Sequence, residues 1–203
     1  MDVNVKQYYI KVERYDWIAA ADNFVGVESF FHRNRERVFT RLIREYADKT
    51  VVLDVGCGTG LLLRRMQEDA TGLDINPWNV VKAKEYTGRQ VVRADAEFLP
   101  FRSSVLDLVV CTETLEHLPN PVRALEEMNR ALKQNGKIIG SVPHPHLGWR
   151  LRFLSSTHPH DEPFHHNYTR SQVSAMLRSS GFQVKRIFLS LLGLNTNFIG
   201  EKS

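Results

Sequence analysis

Residues 51–60 read VVLDVGCGTG, and this stretch decides the fold. An apolar run of strand type leads into glycines at 56, 58 and 60, which permit positive φ and let the backbone approach a ligand closely. Asp54 stands before these glycines, where a carboxylate repels a pyrophosphate and attracts an ammonium group. The spacing GxGxG also lacks the extra residue of the dinucleotide fingerprint GxGxxG. The loop therefore predicts a ligand with an ammonium group, whose own carboxylate meets N–H groups of the loop and of a following helix over LLLRRM.

Short apolar runs alternate with helix-sized segments along the rest of the chain. The predicted strands are VVLDV, ATGLD, QVVRAD, VLDLVVC and KIIGSV, followed by FQVKRIFLSLL and NFIGEK with a turn at Gly193 and Asn195 between them. This alternation predicts an α/β fold with a parallel sheet, crossover helices and an antiparallel last pair of strands.

Helix boundaries can be predicted from local signals. Asn76-Pro77 and Asn120-Pro121 each combine a capping residue with proline at the first helical position, and Thr169 with Gln172 predicts a capping box. Gly136 and Gly181 are expected to follow helix ends. An amphipathic helix is predicted over 28–47. Its apolar face carries Phe30, Phe31, Val38, Phe39, Leu42, Ile43 and Tyr46, and arginines 33, 35, 41 and 44 lie largely elsewhere.

Acidic residues follow the second and third strands. Ligands of open α/β sheets bind at the carboxyl ends of the strands, so Asp74 is expected to grip a ribose diol, with Ile75 against a base. Asp95 can accept from an adenine amino group while the Ala96 N–H meets a ring nitrogen. Plain alternatives remain open, namely a helix-capping role for Asp74 and an exposed turn for Asp95.

These segments together resemble the class I, Rossmann-like methyltransferases, and within them the small-molecule group that includes the ubiquinone/menaquinone methyltransferase-like enzymes. The resemblance is carried by VLDVGCGTG at 52–60, GLDIN at 72–76, ADAEFLPF at 94–101, LEHLPNP at 115–121 and RALKQNGKIIGSVP at 130–143. It implies a seven-stranded sheet of order 3-2-1-4-5-7-6 with the last strand antiparallel, and S-adenosylmethionine as the cofactor. We expect the cofactor to be bound by Asp54, Gly56, Cys57, Gly58, Gly60, Asp74, Ile75, Asp95, Ala96 and Thr112.

A sulfonium methyl is already electrophilic, so transfer needs positioning more than it needs catalytic side chains. If the acceptor must lose a proton, His117, Glu113 and His144 are the candidate bases by position. For His117 a packing or hydrogen-bonding role near the cofactor is the favoured alternative.

The connection over 144–168 exceeds what a minimal fold requires, and six of the eight histidines lie in it. We interpret it as an acceptor-binding lid, because a long loop beside a site is usually functional. Its candidate acceptor-binding residues are Trp149, Arg150, Arg152 and Tyr168. A solvated loop and a divalent metal site remain alternatives, although no known metal-ligand spacing is present.

The chain has 203 residues, 42% of them hydrophobic, which suits one domain. We predict an N-terminal helical cap over 1–48, a cofactor-binding core over 49–143, the acceptor lid over 144–168 and a C-terminal helix and strand pair over 169–203.

Net charge +4 without a basic block disfavours nucleic acid as acceptor. Two cysteines and no apolar run of membrane length favour a cytoplasmic protein without membrane insertion. The oligomeric state is left open. Rival interpretations are a non-catalytic nucleoside-binding or scaffold module and a dinucleotide-dependent oxidoreductase.

Overall fold

The computed structural model describes residues 5–11, 15–23, 26–46, 51–145 and 166–203. The helices are α1 (Val5–Lys11), α2 (Trp17–Asp22), α3 (Gly26–Tyr46), α4 (Pro77–Thr87), α5 (Pro121–Ala131) and α6 (Arg170–Ser179). The strands are β1 (Val52–Val55), β2 (Thr71–Asp74), β3 (Gln90–Arg93), β4 (Leu106–Thr112), β5 (Leu132–Pro143), β6 (Phe182–Ser190) and β7 (Asn195–Lys202). None of the helices within these ranges is long and apolar enough to cross a membrane.

The seven strands form one sheet in the order β3-β2-β1-β4-β5-β7-β6. β1 to β5 pair in parallel, whereas β7 is antiparallel to both β5 and β6. The predicted fold class and strand order are confirmed. Because β1 and β4 are central neighbours, their carboxyl ends lie side by side, where an open α/β sheet binds its ligand.

Helices cover both faces of the sheet. One apolar cluster joins α5 and α6 to the sheet through residues such as Leu125, Met128 and Leu177. The second cluster holds Phe39 and Ile43 of α3 together with residues of α4. This second contact fixes α3 against the sheet, below the loop that follows β1.

The capping signals are confirmed at three helix starts. The Asn76 side chain accepts hydrogen bonds at the start of α4, and the Asn120 side chain does so at the start of α5. Thr169 and Gln172 form the predicted capping box of α6. Each of these caps is a contact between residues close in sequence, which is why local patterns find them.

Two local predictions are wrong. The segment after the glycine loop forms only a 3-10 turn, Leu63–Arg65, and not a helix over LLLRRM. Leu61, Leu62 and Leu63 are all buried, and three consecutive buried leucines do not fit the single apolar stripe of a surface helix. Gly136 does not end a helix either, because α5 stops at Ala131 and Gly136 lies within β5.

Candidate functional site

The glycines of the loop after β1 lie where a side chain would be strained or would meet its neighbours. Gly56 has φ +71°, and a Cβ there would collide with the Thr114 side chain. Gly58 has φ +55°, and a Cβ there would lie 3.0 Å from Cε3 of Trp17. Gly60 has φ +97°. All three predicted loop glycines therefore occupy conformations that L-residues rarely adopt, and the loop leaves backbone open where a ligand must approach.

Cys57 lies in the same loop with its side chain buried. Burial raises the pKa of its thiol well above the ordinary value, and it does the same for Cys111 at the end of β4. Both cysteines are therefore protonated packing residues at neutral pH, and neither has the thiolate needed of a nucleophile.

Asp54, the carboxyl residue of β1, is 2% exposed. Its Oδ2 atom is buried and accepts no hydrogen bond from the residues that the structure describes. Burial raises the pKa of Asp54 to about 8, with Asp74 adding to the shift and Arg35 opposing it. A buried carboxyl with an unused oxygen is costly unless something binds it, so this position is suited to a cationic group.

A cavity opens beside Asp54 at the carboxyl ends of β1 and β4. Its walls include Gly56, Gly58, Thr112 and Glu113, all of them at predicted site positions, together with Trp17 and Arg35, which the sequence did not indicate. Arg35 lies on α3, and its Nε atom is buried with no hydrogen-bond partner among the described residues. Helical periodicity assigned Arg35 to a polar face, and no local signal marks it as a site residue.

Asp74 organises the floor of the site. Its Oδ2 accepts from the Gly58 N–H at 2.9 Å, and its Oδ1 accepts from the Asn76 N–H at 2.8 Å and from Asn79 Nδ2 at 3.2 Å. Burial raises the pKa of Asp74, and these hydrogen bonds oppose the shift. A carboxylate oxygen has about two acceptor positions, so Oδ2 keeps one for a further donor such as a ribose hydroxyl.

Asp95 and its neighbours lie at the end of β3. Asp95 Oδ1 accepts from the Glu97 N–H at 2.9 Å, and its Oδ2 pairs with Lys6 Nζ at 2.6 Å. Lys6 also contacts Glu97 Oε2 at 2.7 Å. Ala96 is buried, and Ile75 is half-buried at the end of β2. The carboxylate predicted to contact adenine is thus already held by a cation from α1.

The first two helices cross the site from end to end. Beyond Lys6, the carbonyl of Tyr9 accepts from Asn76 Nδ2 at 3.0 Å, and the Tyr9 hydroxyl lies 2.7 Å from His117 Nδ1. The N–H of Ile18 donates to Thr59 Oγ1 at 3.4 Å. Lys6, Tyr9 and Ile18 therefore contact residues that follow β1, β2, β3 and β4, which no sequence motif revealed.

Glu113 follows β4 and has φ +50°. Its Oε1 accepts from Ser141 Oγ at 2.6 Å and from Asn195 Nδ2 at 2.9 Å. These contacts fix the carboxylate at the cavity wall next to Thr112, on the side away from Asp74. Of the three predicted bases, Glu113 is the one that lines this cavity.

His117 and His144 lie at different edges of the site. His117 Nε2 lies 3.8 Å from the buried carboxylate of Glu116, and its Nδ1 contacts Tyr9. His144 Nδ1 contacts Thr196 Oγ1 at 2.8 Å. The His117 ring is therefore positioned by the hydrogen bond between its Nδ1 and the Tyr9 hydroxyl.

Of the predicted acceptor-binding residues, Trp149, Arg150 and Arg152 lie outside the described residues. Tyr168 is described, and its N–H donates to the Pro143 carbonyl at 3.1 Å, which brings the chain back beside β5. Burial raises the pKa of the Tyr168 hydroxyl. Within the described ranges, no group of three His, Cys, Asp or Glu side chains is placed to hold a metal ion.

The site thus presents a buried carboxyl and a buried guanidinium in one cavity, a tight glycine loop, and carboxylates at the tips of β2 and β3. This set fits a nucleoside joined to a zwitterionic amino-acid group, which is the composition of S-adenosylmethionine. With the strand order found here, fold and site define the class I methyltransferases.

Comparisons with known proteins agree with this assignment to the methyltransferases. A family model described as a methyltransferase domain matches residues 53–140. A malonyl-[acyl-carrier protein] O-methyltransferase of Geobacter sulfurreducens is 31% identical over 171 residues, which is 77% of this chain and 64% of that protein. A ubiquinone biosynthesis O-methyltransferase of Idiomarina loihiensis is 33% identical over 120 residues, 53% of this chain and 48% of that protein. The chain therefore spans less than two thirds of the length of these curated relatives.

A solved structure shares the fold over nearly the whole chain. Magnesium protoporphyrin IX methyltransferase from Synechocystis, with S-adenosylhomocysteine bound, has a TM-score of 0.76 and 16% identity, covering 98% of each chain. The chain belongs to the class I methyltransferases, whose cofactor is S-adenosylmethionine. The family and the cofactor predicted from the sequence are confirmed.

Proposed function

We propose that this protein transfers the methyl group of S-adenosylmethionine to a small-molecule acceptor by in-line displacement. The observation that carries the proposal is the cavity between the carboxyl ends of β1 and β4. There a buried Asp54 oxygen accepts no hydrogen bond from the described part of the chain, directly beside a loop whose glycines leave no room for a Cβ. A degenerate scaffold module has no need to keep this carboxyl buried and unsatisfied.

Each cofactor-binding residue is assigned to one part of S-adenosylmethionine. Asp54 accepts from the ammonium group, while Gly56, Cys57, Gly58 and Gly60 supply close backbone. Asp74 holds the ribose. The base meets Ile75, Asp95 and Ala96, and Thr112 bounds the methionine end.

When bound, the cofactor supplies an electrophilic methyl group. The chain's contribution is to hold the acceptor atom at near-attack distance and to keep water out, which alone can account for much of the rate. For an acceptor that must lose a proton, Glu113 is the first candidate base, because it borders the cavity and is fixed by Ser141 and Asn195. His117 and His144 lie farther along the rim and suit positioning roles.

The connection over 144–168 is proposed as the acceptor lid. Both of its described ends return to the site: the His144 N–H donates to the Leu194 carbonyl, and the His166 N–H donates to the Glu116 carbonyl. Its residues Trp149, Arg150 and Arg152 offer an apolar face and positive charge, which suits a planar or anionic acceptor. Because two relatives are named as O-methyltransferases, acceptors with hydroxyl or carboxyl groups are tested first.

The proposal is tested in two stages with the purified chain. Calorimetry should show binding of S-adenosylmethionine and S-adenosylhomocysteine and no binding of NAD. Formation of S-adenosylhomocysteine is then measured across a panel of phenols, carboxylic acids and amines. Binding of NAD without S-adenosylmethionine would support the oxidoreductase instead, and cofactor binding without turnover on any acceptor would support the non-catalytic module.

A further inference from the structure

Two buried groups, the carboxyl of Asp54 and the guanidinium of Arg35, share the cavity beside β1. Asp54 Oδ2 and Arg35 Nε both lack hydrogen-bond partners among the described residues, and no hydrogen bond joins them. Burial lowers the pKa of the Arg35 guanidinium, and the nearby carboxylates of Glu113, Glu116 and Asp54 oppose that shift. Arginine nevertheless stays charged in proteins, so the cavity contains a cation with unused hydrogen-bonding capacity.

Arg35 is held in this position from several sides. Its Nη2 atom lies 3.4 Å from His32 Nδ1, and the other nitrogen of that ring lies 2.8 Å from the Tyr15 hydroxyl. On the next residue of α3, Glu36 Oε1 accepts from Arg64 and Arg65, each at 2.8 Å. These bonds tie α3 to the turn that follows the glycine loop, so the helix that carries Arg35 is fixed beside the cavity.

A zwitterionic head group matches this cavity in charge at both ends. Asp54 suits the ammonium group, and a carboxylate then needs a donor of its own. A helix after the loop would have offered its free N–H groups, but the chain forms only the turn Leu63–Arg65 there. Among the described residues that line the cavity, Arg35 is the one with a cationic donor, and guanidinium–carboxylate bonds are strong and directional.

We propose that Arg35 binds the carboxylate of the methionyl group of the cofactor, opposite Asp54. This inference rests on the proposed function, since it assigns a further residue to the same site. It places part of the cofactor site on α3, outside residues 53–140, the segment that matches the methyltransferase model.

The test compares ligands that differ in the amino-acid part. Calorimetry measures the Kd of S-adenosylhomocysteine, of decarboxylated S-adenosylmethionine and of 5′-methylthioadenosine, which lacks the amino-acid group. Arg35→Met, similar in length and uncharged, should weaken S-adenosylhomocysteine at least tenfold, and the two ligands without a carboxylate by less than about threefold. Arg41→Met, on an exposed arginine of the same helix, is the matched control and should leave all three unchanged.

The alternative is that Arg35 serves only as a structural counter-charge for the buried carboxylates. Equal weakening of all three ligands, or no weakening of S-adenosylhomocysteine, would overturn the proposal. Arg35→Gln removes the charge but keeps polar hydrogen bonding, and it gives the same readout if the methionine variant does not fold. Failure of the unaltered protein to bind any of the three ligands would overturn the proposed function as well, an outcome distinct from an effect confined to Arg35 variants.

Discussion

Cofactor binding should release a proton from Asp54. In the empty protein, burial holds the pKa of this carboxyl at about 8, against an ordinary value of 3.8. At pH 7 a group with that pKa is about nine-tenths protonated. An ammonium group placed beside the carboxyl favours the ionised form, so binding at pH 7 should release about 0.9 proton per cofactor.

The size of the pKa shift of Asp54 predicts a measurable pH dependence of cofactor affinity. Between pH 6 and pH 7 the ionised fraction of Asp54 rises about ninefold, and the affinity for S-adenosylhomocysteine should rise by the same factor, about 1.3 kcal/mol. Calorimetry in buffers of widely different ionisation enthalpy counts the released protons directly. This range keeps an α-amino group protonated, so the ligand itself adds little to the slope.

Asp54→Asn is the control, because it keeps the shape of the side chain and removes the titration. It should bind more weakly and show neither the slope nor the proton release. In the empty wild-type protein, the raised pKa of Asp54 adds to the free energy of unfolding in full below about pH 4. This contribution is lost as the pH rises towards 8, because the buried carboxyl must then ionise. The variant should therefore show a flatter pH dependence of the unfolding free energy. Zero proton release by the wild type would refute the reasoning and show that Asp54 is ionised in the empty site, with Arg35 as its counter-ion.

Three other changes test the site. Asp74→Ala should weaken S-adenosylhomocysteine binding at least about tenfold, because the one ligand hydrogen bond for which Oδ2 keeps an acceptor position is charge-assisted and contributes roughly 1.5–3 kcal/mol; a Kd within threefold of wild type would contradict it. Lys6→Met removes the ammonium group that pairs with Asp95 and Glu97. Amide hydrogen exchange in α1 should become severalfold faster, and exchange in β4 should not change. The same α1 exchange rate in variant and wild type would show that the ion pairs do not hold the helix. Gly56→Ala should cost about 2–4 kcal/mol in denaturant unfolding, since the new Cβ meets Thr114 at a positive φ; a loss below about 1 kcal/mol would show that the loop yields.

Local sequence patterns predicted the alternation of strands and helices and the carboxylates at the strand tips. The strand order followed from the resemblance to the methyltransferase family. Asp54, Asp74 and Asp95 each follow a short apolar run, and parallel strands bring such positions to one edge. The Asn76 and Asn120 caps are local in the same sense. The roles assigned to these carboxylates remain predictions until binding is measured.

The missed features depend on contacts between distant parts of the chain. Arg35 has the periodicity of a solvent-facing residue, and only the packing of α3 brings it to the cavity. Lys6 and Tyr9 reach partners at Asp95 and His117. The prediction of a helix over LLLRRM was wrong because a run of apolar residues can form a buried turn as well as a helix, and the sequence does not distinguish the two.

The contacts of α1 and α2 with the site have a consequence for how such proteins diverge. A chain shortened to start at residue 51 would keep every motif by which the family is recognised. It would nevertheless lose Trp17 from above Gly58 and the apolar residues of α3 from the second core cluster. Substitutions in the leading helices can therefore retune cofactor affinity while the recognisable motifs stay the same, so two relatives with identical loops need not hold the cofactor equally well.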